Sequence, residues 1–173
     1  MAEFERIEEL QAGLPPDAIQ NVETFRDEVT VVVNPEQIVE VCRYCRDTKG
    51  LEFNLFSSLT GIDYYPSEPR FGLAYHLYSL VHNHSIRLKV YVSGDEPVAH
   101  SVMPVYPAAN WFEREIFDLL GVTFTDHPDL RRIMMPDDWN GHPLRKDYPL
   151  GYETVQFSFN RDEVTQHKPY AKE

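Results

Sequence analysis

The chain of 173 residues has only two cysteines, eight glycines, and 16 bases against 28 acids. Two cysteines cannot build a disulfide framework. No apolar run approaches the roughly 18 residues that a membrane-crossing helix needs. The first ten residues, MAEFERIEEL, have neither a basic head nor an apolar stretch, so no secretory signal is expected there. A net charge of -12 repels nucleic acid phosphates and anionic lipid headgroups. What remains is a globular composition, 42% hydrophobic and 25% charged, of a size that fits one domain. Cysteine usage points to a reducing compartment.

Aromatics make up 13% of the chain and prolines number 13. Residues 1–125 hold 19 acids and 9 bases, whereas residues 126–173 hold 9 and 7. The two stretches therefore present different surfaces.

Phe4, Ile7 and Leu10 lie three apart, which predicts a short amphipathic helix stopped at Leu14-Pro15-Pro16. Residues 20–25 and 28–33 read as strands around Arg26-Asp27. Asn34 as a cap, Pro35 at the first helical position and Gln37 start a helix that runs to about Thr48, with Ile38, Val41, Cys42 and Cys45 inside and Gly50 ending it. Residues 53–60 and 61–65 form one long or broken strand. Residues 72–81 and 85–93 alternate around His82-Asn83-His84 and predict a hairpin. Residues 94–106 are expected to be a short helix or loop. The fold class is α+β, with a mostly antiparallel sheet and packed helices, followed by an extended segment with little regular structure.

Residues 107–120 carry the strongest helical period. Ala108, Ala109, Phe112, Ile116, Leu119 and Leu120 fall on one face, with Trp111 at its edge and Phe117 on the polar side. Asn110 and Glu113 have capping-box spacing. Arg114 and Asp118 are an exposed i, i+4 pair. Glu115 falls between Trp111 and Leu119, where a partly buried carboxylate would need a cation.

After Gly121 the period vanishes, although large apolar residues persist through Phe159 and alternation returns at 154–159. Composition argues against disorder here. Forty-eight residues could reach about 150 Å, while a 125-residue domain has a radius of gyration of about 14 Å. The expectation is a domain at 1–125 and a segment at 126–173, much of it lying on another protein.

Other chemistry is sparse. Cys42-Arg43-Tyr44-Cys45 is a CxxC two turns inside its helix, away from the N-terminus that activates such thiols and without a second pair for a metal, so core cysteines are the better reading. His76, His82 and His84 lack a completing ligand pattern and read as hairpin histidines. Glu113 and Glu115, two apart on a helix, point away from each other and cannot form an acid/base dyad. No phosphate-binding loop and no nucleophile elbow is present. These residues favour an interaction protein over a self-sufficient enzyme.

Residues 110–150 read NWFEREIFDLLGVTFTDHPDLRRIMMPDDWNGHPLRKDYPL. Glu113-Arg114-Glu115, Asp118 and Gly121, then His127-Pro128-Asp129-Leu130-Arg131-Arg132-Ile133, then Trp139, Gly141 and His142-Pro143-Leu144-Arg145-Lys146-Asp147-Tyr148, closely resemble the signature of the C subunit of the proton-translocating NADH–quinone oxidoreductase, respiratory complex I. Met134 and Asn140 depart mildly from it. The tripeptide at 127–129 also occurs in J-domain co-chaperones, but there it follows a basic helix, and here the helix is acidic.

The resemblance implies a peripheral-arm component on the cytoplasmic side of the cell membrane. It would dock chiefly on the D subunit, next to the B subunit, and touch the membrane only through the assembled complex. NADH, FMN, iron–sulfur clusters and quinone would be bound by other members of the complex. No cofactor, metal or catalytic residue is expected in this chain, and no nucleic acid partner. His142 before Pro143 resembles the bacterial respiratory form, and the ending soon after the signature resembles a free-standing C subunit. Alternatives are the same module in a ferredoxin- or hydrogenase-linked membrane complex, and a stand-alone metal-dependent enzyme. In this reading one of Arg131, Arg132, Arg145 and Lys146 meets Glu115, the others meet acids on the D subunit, Glu113 is a cap, and Trp139 and Tyr148 are aromatic anchors.

Overall fold

The computed structural model describes residues 7–26 and 28–149. Phe4, Asp27 and the alternation at 154–159 lie outside the described residues. The elements are α1 (Ile7–Ala12), β1 (Ile19–Phe25), β2 (Glu28–Val33), a 3-10 turn (Pro35–Gln37), α2 (Ile38–Asp47), β3 (Leu55–Asp63), β4 (Phe71–Ser79), β5 (His84–Val92), β6 (Val98–His100), α3 (Ala109–Leu120) and β7 (Thr123–Thr125).

Five strands form one sheet in the order β1-β2-β5-β4-β3. Three pairings are antiparallel, and β2 pairs with β5 in parallel. The α+β expectation with a mostly antiparallel sheet therefore holds. The parallel pair arises because the chain leaves β2 through α2 and lays down β3 and β4 before β5 returns beside β2.

Residues 94–106 contain a strand that sequence reasoning missed. β6 pairs in parallel with β7 over three residues, too few for any alternation to register. The β4–β5 turn also comes earlier than expected, since β4 ends at Ser79 and β5 begins at His84.

Asn34 caps the 3-10 turn by accepting the Glu36 amide. Beyond it, α2 turns Ile38, Val41, Cys42 and Cys45 inward. Both thiols are free and buried. Burial pushes the Cys45 thiol up to about 12, and burial, aided by Cys45 and Glu113, raises Cys42 as well. These are packing groups, as the position within the helix implies. Tyr106 joins the layers, its hydroxyl donating to the Phe53 carbonyl at 2.7 Å.

Helix α3 packs on β3 through Ile116 and Leu120. Gly61 makes the approach possible, because a Cβ there would overlap Leu120 Cδ1. No described helix is long and apolar enough to cross a membrane.

Replacing Gly61 by Val should therefore push α3 off the sheet. The expected cost is about 1–3 kcal/mol of stability, typical of overpacking. Denaturant unfolding checks it, and an unchanged midpoint would mean that α3 and β3 are not in contact.

Candidate functional site: the signature segment closed on helix α3

The last four carbonyls of a helix have no partner within it. In α3 the signature segment supplies the partners. Gly121, in the left-handed region at φ 74°, returns its amide to the Phe117 carbonyl. The Asp118 carbonyl accepts His142 Nδ1 at 2.9 Å and Arg132 Nη1 at 3.3 Å. The Leu119 carbonyl accepts the Leu144 amide at 3.0 Å. The Leu120 carbonyl accepts Arg145 Nε at 2.7 Å. Two guanidinium groups thus sit at the negative end of the helix dipole. A side chain at residue 121 would overlap His142 and Arg145, so glycine serves both the backbone turn and this close approach.

Asp118 lies at the centre of the site and is wholly buried. Its Oδ1 accepts Arg132 Nη1 at 2.6 Å. Its Oδ2 accepts three successive amides, those of Ile133, Met134 and Met135, at 3.0, 2.7 and 2.8 Å. Burial would raise this carboxyl, but the amide and Arg132 hydrogen bonds outweigh it and hold the group below the usual range. Arg132 also donates through Nη2 to the Trp139 and Gly141 carbonyls at 3.0 and 3.1 Å. One guanidinium therefore links the helix to two further turns of the loop.

A second latch fastens the end of the described segment to the sheet. Asp63, buried at the end of β3, accepts Arg70 Nε and Nη2, both at 3.1 Å, the Tyr65 amide at 2.9 Å and the Lys146 amide at 2.8 Å. Arg70 Nη2 also reaches Asp147 at 2.6 Å. Burial would raise Asp63, and Arg70 with the two amides lowers it.

A third contact lies on the other side of α3. Glu113 is fully buried, accepting the Ser101 hydroxyl at 2.6 Å and the Val102 amide at 2.8 Å. The buried His127 ring accepts the Asp129 amide on Nδ1 and places Nε2 3.9 Å from Glu113 Oε2. Burial pushes the Glu113 carboxyl up to about 7, against the Ser101 and Val102 hydrogen bonds.

Several expectations change. Glu115 is exposed, and among the described residues it meets none of the four bases. The buried acids of α3 are Glu113 and Asp118. Glu113 does not cap the helix, which begins at Ala109, before Asn110; it ties α3 to residues 101–102. Arg114 does not pair with Asp118. It donates to the Arg131 and Arg132 carbonyls and lies over the Trp111 ring. Ala108 is exposed, and Phe112 and Leu119 are half-buried. Asp118, placed on the polar side by helical period alone, is covered because the loop folds back over it.

Residues 126–149 accordingly return to the domain that sends them out. Arg132 and Arg145 are held by this chain's own helix, and Asp147 by Arg70. Arg131 is exposed and paired with Asp129. The Lys146 and Leu144 side chains, Pro128 and Asp129 are exposed, and Pro143 is half-buried. Trp139 and Tyr148 are half-buried within the loop. The Tyr148 ring covers Gly141, at φ 79°, and its hydroxyl donates to the Asn140 carbonyl at 3.1 Å. Among the described residues no group of three or more histidine, cysteine or carboxylate side chains is placed to hold a metal.

Residues 31–154 match the family described as "Respiratory-chain NADH dehydrogenase, 30 Kd subunit". The chain belongs to that family. It is 50% identical over 167 residues to the C subunit of the NADH-quinone oxidoreductase of Roseiflexus sp. (strain RS-1), covering 96% of this chain and 95% of that protein. The C subunit of Geobacter sulfurreducens (strain ATCC 51573 / DSM 12127 / PCA) is 48% identical over 134 residues, 77% of this chain and 82% of that protein. Among solved structures, the trypsin-resistant fragment (1-134) of Nqo5 is 31% identical, with a TM-score of 0.59, and spans 75% of this chain and 100% of that one. A chain of the archaeal membrane-bound sulfane sulfur reductase shares the fold, with a TM-score of 0.74 at 20% identity over 98% of this chain and 95% of that one. In this member of the family the signature is, over its described part, a clamp on helix α3.

Two pH effects of opposite sign follow. The Asp118 contribution is present above its unfolded value, near 3.8, and is lost as pH falls through its lower folded value. The Glu113 contribution is full below 4.5 and is lost as pH rises through about 7. Asp118→Asn should cost about 3 kcal/mol at neutral pH, as expected for stranding a largely buried arginine, with the difference shrinking in acid. Glu113→Gln should flatten stability between pH 4.5 and 7. Urea unfolding across pH reads both, and unchanged profiles would refute these assignments.

Proposed function

We propose that this chain works as the C subunit in the peripheral arm of an NADH:quinone oxidoreductase, on the cytoplasmic side of the membrane. There it docks chiefly on the D subunit, beside the B subunit, in a complex that moves electrons from NADH to quinone and translocates protons. Its own contribution is shape. NADH, FMN, iron–sulfur clusters and quinone belong to neighbouring members of the complex.

The observation that carries this reading is the apolar face left over once the clamp has closed. Trp111, Met134 and Leu144 are 60%, 65% and 59% exposed, and Ile133 is exposed beside Met134. All four stand on α3 or on the loop fastened to it. Large apolar side chains left exposed on a hydrogen-bonded support suit a protein–protein surface. Arg114, stacked on Trp111, adds a donor of the kind that interfaces favour. The acidic chain suits a protein neighbour better than a nucleic acid or an anionic lipid surface.

The test is replacement of the gene in a cell that depends on the complex. Removing the chain should abolish NADH-driven quinone reduction by membranes and recovery of the intact arm. Reduction driven only by ferredoxin would instead assign the module to a ferredoxin-linked assembly. Trp111→Ala combined with Met134→Asp should leave the isolated chain within about 0.5 kcal/mol of wild-type stability, because both sites are exposed. The same pair should lower recovery of assembled complex at least tenfold. Equal recovery from mutant and wild type would contradict the docking face.

A further inference from the structure

The five-stranded sheet has two edges, and they differ. β1 is blunted by a register shift between Ile19 and Asn21 and by Glu23 in its middle. β3 has its own register shift between Phe56 and Ser58, but beyond it runs in regular register to Asp63 and carries no charge before that residue. Among the described residues β3 pairs only with β4. An open, uncharged edge is a template for another strand unless something covers it.

A groove lies alongside this edge. It has a volume of about 240 Å³ and runs between β3 residues 58–61 and the α3 stripe Phe112, Glu115, Ile116 and Leu119, with Leu144 of the signature loop at one end. Its walls are mostly apolar. Among the described residues Glu115 is the one charged side chain in the lining, and it makes no ion pair with them. Leu144 joins the groove to the exposed apolar face described above.

We propose that the β3 edge and this groove receive an extended segment of a neighbouring protein of the assembly, which adds a sixth strand to the sheet. Its backbone pairs with β3. Alternate side chains are apolar and enter the groove against Ile116 and Leu119. A lysine or arginine of the same segment meets Glu115. Strand addition of this kind takes affinity from the main chain and specificity from the side-chain pockets. The charge follows from complementarity: an unpaired carboxylate at the rim of an apolar groove favours a basic occupant. The inference rests on the reading that the chain is docked in an assembly.

The test uses the assembled complex, with Thr60→Cys carrying a thiol-attached photo-crosslinker. Thr60 is exposed on β3, and both native thiols are buried. Met134→Cys, labelled in the same way, serves as the control on the docking face. The expected result is a crosslink from residue 60 to an extended segment of a different protein of the complex, apolar at alternate positions and bearing a lysine or arginine. Glu115→Lys should lower that yield about fivefold, the scale of one exposed ion pair. A crosslink to residues 150–173 of this chain or to a second copy of it overturns the proposal, as does a yield that Glu115→Lys leaves unchanged. No crosslink at 60 with a strong one at 134 overturns it while the docking reading stands. Silence at both positions removes both.

Discussion

A carboxylate taken out of water must be given hydrogen bonds in return, and Asp118 receives four from residues 132–135. That requirement fixes the path of the chain. Three consecutive amides converge on one oxygen only if residues 133–135 turn tightly around it, and Arg132 is then held against the helix end. From Arg132 the order spreads to the Trp139 and Gly141 carbonyls. From there His142, Leu144 and Arg145 close the remaining carbonyls of α3. A segment with almost no regular secondary structure thus acquires a definite shape by completing the hydrogen bonds of a helix.

Among the described residues, the buried acids Asp63 and Glu113 extend the same logic. Asp63 binds the end of the segment to the sheet through Lys146 and Arg70, and Glu113 binds the start of α3 to residues 101–102. With α3 held through Glu113 and Asp118 and the loop latched to the sheet through Asp63, Trp111, Ile133, Met134 and Leu144 are left exposed. A rigid apolar face is better suited to docking than a flexible one, since less order is lost on association.

Sequence reasoning recovered the elements with strong periods. The hairpin of β4 and β5, the Asn34 start and the buried stripe of α2, and α3 itself were all legible, because each repeats a signal over several turns or alternations. The signature residues were legible as a family pattern. Their partners were not. A helical period places Asp118 beside Arg114 on the polar side, since it knows nothing of a loop that returns from fifteen residues away. Likewise Glu115 sits beside apolar neighbours in the wheel yet faces solvent, while Glu113, read as a cap, is the acid drawn inside. The reach of an extended chain suggested that residues after 126 travel to a neighbour. Four prolines and Gly141 break residues 126–149 into successive turns that lie back on α3, so contour length overstates how far this part goes. The three-residue ladder of β6 and β7 was too short for alternation to show.

The central claim is that this segment is built by its own helix before any neighbour arrives. Hydrogen exchange at the Ile133, Met134 and Met135 amides in the isolated chain tests it most directly. Protection approaching that of the α3 amides is the predicted result. Exchange at the rate of free peptide, while α3 stays protected, would show that Asp118 does not hold the loop and that its shape comes from elsewhere.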